Sequence, residues 1–552
     1  MSSETCQVLV VGAGPVGLTA AHELLRRGIA VRIVDAAAGP APTSRALATH
    51  ARTLEIYDQM GVLPALLPQG RRIQRFTLRQ NGRTLAALAA DYSQLPTRFP
   101  MTAMVDQSTT ERVLREAVAG FGVEVEWDTR LEALEQHEDG VDSVLIGPQG
   151  TEKLRTGWLV GCDGGHSTVR KLLGFTLVGD SSETWLIADA VLDADLDDRS
   201  IHWLRTKSGT LMAVPFPEPG KWRLLDTAEA SYDGDAAQVG ERFARKLSQG
   251  VGRPVHVREP SWVSVFTIQQ RMITEMRAGR CFVAGDAAHV HSPASGQGMN
   301  TGIQDAYNLA WKLAAVVRGE AGQALLDSYA SERVPIGAKL LGSTNRATQL
   351  IQLKHPVAGM VLPVMFKVVA TVPALRARVS RKIMQAMSAL DVDYADSALT
   401  VPADPTDPTN TDEPRPGRRI SEVTEQDLAS PGFAALVEQL RSVDWTLLVG
   451  AGPDDALAPG IARLAKLWGR GLTVRTVGAG QDVAHALPDP DRALRRRFGL
   501  TEPGSWILVR PDGYVSARGP VEDVAALEKA AAAATGGLLR GAPGSTDVLT
   551  SA

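Results

Sequence analysis

The residues best suited to chemistry begin with Gly12-Ala13-Gly14-Pro15-Val16-Gly17, directly after the apolar run Val8-Leu9-Val10-Val11. In that setting Gly12 permits a tight turn, Gly14 lets backbone approach a pyrophosphate, and Gly17 lets a helix pack closely on a strand. Pro15 suits a first helical turn, and with Val16 it opens a helix whose free N–H groups can face phosphate oxygens. Asp35 ends the next apolar run and is placed to accept hydrogen bonds from ribose hydroxyls. The turn by itself does not distinguish a flavin dinucleotide from a nicotinamide one.

A second cluster is Cys162-Asp163-Gly164-Gly165-His166-Ser167-Thr168-Val169-Arg170. A third is Gly285-Asp286-Ala287-Ala288-His289, followed by Pro293 and by Gly296-Gln297-Gly298-Met299-Asn300. Taken singly, each also reads as an Asp-Gly turn after a strand or as a helix cap. No Ser/His/Asp arrangement for nucleophilic catalysis stands out. His289 and His291 could relay protons, although a packing role after the Gly-Asp turn is the preferred reading of His289.

The elements that must position these residues are visible in the periodicity. Residues 8–35 read strand, glycine turn, helix, strand, the start of an open parallel sheet. Ser108-Thr109-Thr110-Glu111 is a capping box that predicts a helix through Leu114 and Val118. Between 185 and 270 apolar runs alternate with turns, and Pro215, Pro217, Pro219 and Gly220 mark a reversal, as expected of an antiparallel sheet. The chain then returns to the first domain at Cys281-Phe282-Val283-Ala284, and a helix is predicted from about Met299 to Arg318. Apolar residues 357–375 read as a buried or interfacial helix. Five prolines between 402 and 416 predict a linker, beyond which strands and helices alternate again. The expected domains are 1–180 and 276–400 for cofactor binding, 181–275 for substrate, 401–418 as linker and 419–540 as a C-terminal α/β domain.

In this order and at these separations the three motifs resemble the class A FAD-dependent monooxygenases, the para-hydroxybenzoate hydroxylase and phenol hydroxylase family. The segments Gly279–His289 and Gly296–Lys312 are close matches to that family, and the resemblance covers about residues 5–400. From about residue 415 the chain is similar to the thioredoxin-like C-terminal domain of phenol hydroxylase and of bacterial polyketide hydroxylases. The fold implied is a Rossmann-like FAD-binding domain interrupted by an antiparallel-sheet substrate domain, with a thioredoxin-like tail. The tail contains no cysteine, so it can carry no thiol–disulfide chemistry.

The resemblance also implies roles. Gly12, Gly14, Pro15, Val16 and Gly17 would hold the FAD pyrophosphate, and Asp35, where the family usually has Glu, the adenosine ribose. Arg45 matches an arginine near the flavin, which would help to hold one position of the ring. Gln107 matches a cofactor-contacting glutamine. Asp163 and Gly164 match a motif tied to both FAD and NAD(P)H, and Asp286 would bond the ribityl chain. Pro293, Gly298, Met299 and Asn300 would lie against the isoalloxazine. Reduced flavin is anionic, and the positive end of the helix from Met299 would stabilise it. The activity implied is NADPH- or NADH-dependent aromatic hydroxylation with molecular oxygen through a flavin C4a-hydroperoxide, on a phenol or polycyclic polyketide. Trp203, Met212, Phe216 and Phe266 are the strand residues expected to line the substrate pocket. The same chemistry serves Baeyer–Villiger oxidation, epoxidation and antibiotic inactivation in related proteins. A non-catalytic flavin-binding protein is the alternative from another class, against which the intact Asp163-Gly164 and Gly285-Asp286 pairs argue. The tail is expected to stabilise the catalytic part or an oligomer interface, such as that of a homodimer.

Composition removes other classes. The 552 residues carry 58 Lys plus Arg against 62 Asp plus Glu, a formal net charge of -4, with no basic excess to suggest a nucleic-acid partner. The three cysteines, Cys6, Cys162 and Cys281, show neither disulfide-framework nor zinc spacing, and they read as small buried residues. No metal site is expected. The N-terminal Met-Ser-Ser-Glu-Thr lacks the basic region of a signal peptide, so a cytoplasmic protein without a membrane span is expected.

Overall fold

The computed structural model describes residues 6–89, 92–93, 95–290, 296–352, 378, 381–382, 384–385, 387–402, 414–450, 459–478, 486–500, 505–520 and 523–538. Its chain divides into two compact units. One comprises Met1–His22, Ala30–Ala306 and Val334–Asp391; the other comprises Glu23–Ile29, Tyr307–Arg333 and Val392–Ala552. The predicted helix at 357–375 and most of the proline-rich stretch, 403–413, lie outside the described residues.

The apolar run Val8–Val11 is fully buried inside a six-stranded sheet. The sheet order is Arg277–Ala278, Cys281–Val283, Trp158–Gly161, Val8–Val11, Val31–Val34, Val125–Glu126. All its pairings are parallel except that of Arg277–Ala278 with Cys281–Val283. Continuous apolar runs are what a parallel strand covered on both faces requires. Cys162 and Cys281 are buried as expected, whereas Cys6, at the strand entrance, is half-buried.

The middle of the chain builds a nine-stranded sheet. Along its path lie His289–Val290, Trp262–Met272, Val178–Asp193, Lys221–Asp226, Gly209–Pro215, Ser200–Thr206, Arg75–Gln80 and Arg83–Ala89, with His256–Val257 paired to the long strand. The reversal marked by Pro215 to Gly220 is the hairpin between Gly209–Pro215 and Lys221–Asp226. The sheet is mixed rather than purely antiparallel, because Ser200–Thr206 runs parallel to Arg75–Gln80. Helix Ala236–Val251 covers one face. Its Val239, Phe243, Leu247 and Val251 recur every fourth residue and pack on Leu186, Leu204, Leu211 and Leu224. Burying each of these side chains is worth roughly 1.5–3 kcal/mol. Asp235 caps the helix start by accepting from the Gln238 N–H, and Gly252, with φ +83°, closes its end.

The helix predicted from the capping box runs over Gln107–Ala119, and its cap differs from the expected one. Asp106, not Ser108, is the N-cap, accepting from the Thr109 N–H at 2.9 Å. Glu111 instead accepts from the Gln107 side chain at 2.7 Å. Two overlapping cap sequences compete here, and the carboxylate two residues upstream prevails.

The second unit holds a five-stranded sheet in the order Ala486–Pro488, Leu472–Gly478, Trp445–Gly450, Ser505–Val509, Val515–Pro520. The first three strands are mutually parallel and the last two pair antiparallel. Alternate residues feed two cores. Leu447, Val449, Trp506 and Leu508 pack with Trp311, Ile461, Leu464 and Leu527 on one side; Leu448, Ile507 and Val509 pack with Phe433, Leu436 and Phe498 on the other. Ile420 and Val423 are fully buried in the second core, so ordered packing resumes directly after the proline-rich stretch.

Candidate functional site

Strand register brings the three motifs to one edge. Val11, Gly161 and Val283 are paired neighbours across three parallel strands. The glycine turn, Cys162-Asp163 and Gly285-Asp286 therefore leave the sheet side by side at its carboxyl end. Val8–Val11 leads on to Val31–Val34 on one side, whereas its other neighbour, Trp158–Gly161, is followed outward by Cys281–Val283 on the opposite side, which makes this the switch point where open α/β sheets bind ligands. Arg170 ties the second motif to the third, donating to the Gly165 carbonyl at 2.9 Å and to the Ala287 carbonyl at 3.1 Å.

The glycine turn fits a dinucleotide pyrophosphate. Gly12 has φ +103°, and a Cβ there would stand 2.4 Å from the Cys162 carbonyl oxygen. A Cβ at Gly17 would stand 1.8 Å from the Gly12 oxygen, so helix and turn are in contact. A Cβ at Gly14 would meet nothing within 4 Å, so this glycine faces open space at the start of helix Pro15–Leu25. Pro15 is buried and Val16 half-buried in the first helical turn. The half-buried carboxylate of Asp35 accepts from the Ala13 N–H at 2.7 Å and the Ala37 N–H at 2.8 Å, so it also braces the turn. Asp163 is engaged as a cap, accepting from Ser167 Oγ at 2.5 Å and the Thr168 N–H at 2.6 Å, beside half-buried Gly164.

Asp286 opens toward solvent beside the N-terminus of helix Gly298–Val317, where a Cβ at Gly298 would be 4.0 Å from its Oδ1. The protein packed around this recess pushes the Asp286 carboxyl pKa up; the charges of His289 and Arg45 oppose the shift and that of Asp305 adds to it. Met299 is half-buried. Asn300 is buried, donating to the Ala48 and Gly296 carbonyls at 2.8 Å while its Oδ1 accepts from the His50 N–H at 2.9 Å. It thereby fixes the start of the helix to the segment after Arg45. His289 is buried with Nε2 2.6 Å from Asp305, whose same oxygen accepts from the Gly285 N–H at 3.1 Å. The imidazole therefore anchors the Gly-Asp turn. Pro293 and His291 lie outside the described residues.

Arg45 is exposed, on a loop held from below. Gln107 Oε1 accepts from the Ala46 N–H at 3.0 Å, and Asp106 meets Ser44 Oγ. The strongest hold was not anticipated from the sequence. Arg223 donates from Nη1 to the Arg45 carbonyl at 2.8 Å and from Nη2 to the Ser44 carbonyl, while Asp189 binds its guanidinium through both oxygens at 2.8 Å. Both charged residues are buried. The signal in the sequence is an Arg flanked by apolar residues in Trp222-Arg223-Leu224 and an Asp flanked by apolar residues in Ala188-Asp189-Ala190. Arg223→Lys keeps the charge but loses the planar fork. Stopped-flow reduction by NAD(P)H should slow about tenfold to a hundredfold in this variant, because a displaced loop misplaces Arg45. An unchanged rate would show that the loop holds itself.

The four expected pocket residues share one sheet face. Met212 and Phe216 belong to a cluster with Leu47, Tyr92, Met104, Trp185, Ile187 and Leu225, and half-buried Trp203 and Phe266 pack against it. Asp189 and Arg223 emerge on the same face, since Asp189 pairs with Arg223 and Arg223 with Val214 of that cluster. The face thus carries both the apolar wall and the support of the Arg45 loop. Among the described residues, no group of three His, Cys, Asp or Glu could hold a metal ion, and no helix is long and apolar enough to cross a membrane.

The fold and this site, three motifs converging at the switch point of an open α/β sheet, define a flavin-binding oxidoreductase. Residues 5–344 match the FAD binding domain family, and the chain belongs to it as an FAD-dependent monooxygenase. It is 52% identical over 515 residues to 6-methylpretetramide 4-monooxygenase of Streptomyces rimosus, covering 93% of this chain and 90% of that protein. Among solved structures it is similar to an anhydrotetracycline hydroxylase from Streptomyces rimosus, with a TM-score of 0.73 at 31% identity over 96% of this chain and 99% of that one. It is also similar to aklavinone-11 hydroxylase in complex with FAD and aklavinone, with a TM-score of 0.74 at 25% identity over 97% of this chain and 100% of that one.

Proposed function

We propose that this enzyme hydroxylates a ring carbon of a polycyclic aromatic polyketide of the tetracycline type, using FAD, molecular oxygen and NADPH or NADH. The observation that supports the substrate class is the 52% identity spanning nine-tenths of the 6-methylpretetramide monooxygenase. The broad aromatic face around Met212, Phe216, Trp203 and Phe266 suits such a ligand.

Bound FAD would supply the redox chemistry, accepting a hydride from the nicotinamide and passing one oxygen atom of dioxygen to the substrate, the other leaving as water. The chain's own residues do the rest. Gly12, Gly14 and the first N–H groups of helix Pro15–Leu25 cradle the pyrophosphate, and Asp35 reaches the adenosine ribose. Asp286 accepts from the ribityl hydroxyls. The first turn of helix Gly298–Val317 would offer free N–H groups and its positive end to the negative charge that reduction places on the flavin. Arg45 sets the ring position for reduction, held by Arg223 and Asp189. Met212, Phe216 and Phe266 exclude water from the reacting face.

The C-terminal sheet belongs to the same reading as a thioredoxin-like domain. Two parallel strands joined through a helix, followed by an antiparallel pair, are the order such a domain has. Without cysteines its duty is structural. A cytoplasmic location follows from the need for NAD(P)H.

The test is a panel of monocyclic phenols and tetracyclic polyketides, scored by substrate-stimulated NAD(P)H oxidation and product mass. A gain of one oxygen atom on a tetracyclic ligand is expected. Turnover of monocyclic phenols alone would overturn the substrate class, and protein that ignores added FAD would overturn the function.

A further inference from the structure

The second unit holds a recess that the oxygenation chemistry does not use. It is lined by Trp311, Arg318 and Glu320 around the end of helix Gly298–Val317, by Asp444 and Trp445 at the start of strand Trp445–Gly450, and by Trp468 and Gly471 around the end of helix Pro459–Trp468. It has room for one group the size of a water molecule, about 20 Å³. Arg318 is exposed, and Glu320, Asp444 and Trp468 are half-buried, so the recess is reached from solvent.

Three indoles form its walls. The Trp445 ring centre stands 5.6 Å from that of Trp311 and 5.5 Å from that of Trp468, with the rings inclined at 88° and 52°. Indole faces attract cations. Lys312 and Arg510 already lie over Trp311, whereas among the described residues no cation lies over Trp445 or Trp468.

The charges beside the walls leave one carboxylate over. Asp444 is acted on by Arg318, Arg27 and Glu320. Arg318 donates to Glu320 at 2.6 Å and to the Arg27 carbonyl at 3.0 Å, and Arg27 donates to Glu23 at 2.6 Å. Asp444 itself receives no hydrogen bond among the described residues, and burial pushes its carboxyl pKa up. A cation that brings its own N–H donors answers such a carboxylate. An anion would be repelled by Asp444 and Glu320, and a neutral group would leave the charge unmet. Gly471 closes the remaining side. A Cβ there would stand 3.4 Å from Trp468 Nε1 and 3.7 Å from Glu320 Oε2, ordinary contacts, so the space between that indole and that carboxylate is open.

We propose that this recess binds a primary ammonium group, which donates to Asp444 and Glu320, packs against the Trp445 and Trp468 rings and leaves its alkyl chain toward solvent. The room for a single water-sized head excludes a quaternary ammonium. The proposal stands apart from the oxygenation reading, and its test does not depend on turnover.

The test uses the FAD-loaded full chain in ligand-observed NMR titrations with n-butylammonium, n-butanol, tetramethylammonium and N-acetyl-lysinamide. Butylammonium should bind with a dissociation constant on the order of 1 mM, and butanol and tetramethylammonium about tenfold more weakly or worse. Asp444→Asn removes the charge with little change of shape. Gly471→Ala fills the space without strain, since its methyl would make only ordinary contacts. Each should weaken butylammonium about tenfold while the melting temperature holds. N-acetyl-lysinamide, whose one amine is on its side chain, separates two sources of the group. Binding as tight as that of butylammonium assigns the recess to a lysine of a protein partner; binding of butylammonium alone assigns it to a free amine. Equal binding of butanol and butylammonium, or butylammonium binding that neither variant alters, would overturn the proposal and leave a recess that holds a water only.

Discussion

Arg510→Met is expected to remove about 3–5 kcal/mol of folding stability, the cost of stripping one partner from a buried ion network. Arg510 donates to both oxygens of Glu332, at 2.7 and 2.9 Å, and to both oxygens of Asp512, at 3.0 and 2.6 Å. Glu332 also accepts from Lys312 Nζ at 2.7 Å, Asn308 at 2.7 Å and Ser397 at 2.5 Å. The guanidinium stacks 4.9 Å from the Tyr394 ring centre and 5.4 Å from that of Trp311. All four charged side chains are at most 2% exposed. Their charges sum to zero, and methionine at 510 leaves two carboxylates facing one lysine. Burial pushes the Glu332 carboxyl pKa up, but the charges and hydrogen bonds of Arg510 and Lys312 outweigh it and hold it well below the usual range. A depressed carboxyl pKa confers stability that is present above the unfolded value, about 4.3, and is lost as pH falls toward the folded one. Without Arg510 the depression shrinks, so the acid-unfolding midpoint should also move to higher pH. Urea denaturation at neutral pH and an acid titration read both effects. A loss under about 1 kcal/mol would mean that the network relaxes around the gap.

That network explains why the boundaries expected from the sequence and the units of the structure differ. Asn308, Trp311 and Lys312 lie on the helix Gly298–Val317, and no glycine, proline or composition change marks Ala306-Tyr307, where the segment Ala30–Ala306 of the first unit gives way to the second. The ties are long-range and carried by charges that, read locally, look like an ordinary polar helix face. The glycine turn was legible because its chemistry is local: a strand, six residues and a helix. The convergence of the other two motifs was legible only by resemblance, since it depends on the Val11–Gly161–Val283 register. Strands Arg75–Gln80 and Arg83–Ala89 escaped notice for the same reason. They pair with Ser200–Thr206 and with each other, and the alternation in RFTLRQ is short, with only two apolar residues. Arg223 and Asp189 carry a weaker signal, a charge set between apolar neighbours in each of two strands, which must find its opposite.

The glycine turn yields the second large effect, through a pair of alanine variants that separate fold from cofactor. At Gly17 the added methyl would overlap the Gly12 oxygen at 1.8 Å, backbone against backbone, so the helix must move away from the turn. Overpacking of this kind costs about 1–3 kcal/mol. Because the moving parts are those that cradle the pyrophosphate, Gly17→Ala should lose both stability and FAD affinity. At Gly14 the methyl meets no protein atom within 4 Å, and the glycine is not in the left-handed region. Gly14→Ala should therefore leave apoprotein stability within about 1 kcal/mol of the parent. It should nevertheless weaken FAD binding by about tenfold to a hundredfold, because the methyl occupies the approach of the phosphate oxygens. Apoprotein unfolding and FAD titration followed by flavin fluorescence measure the two quantities independently. If Gly14→Ala binds FAD as tightly as the parent, the open space before helix Pro15–Leu25 is not where the pyrophosphate sits, and the assignment of the turn to the cofactor fails. If both variants lose stability equally, Gly14 is serving the fold rather than the ligand.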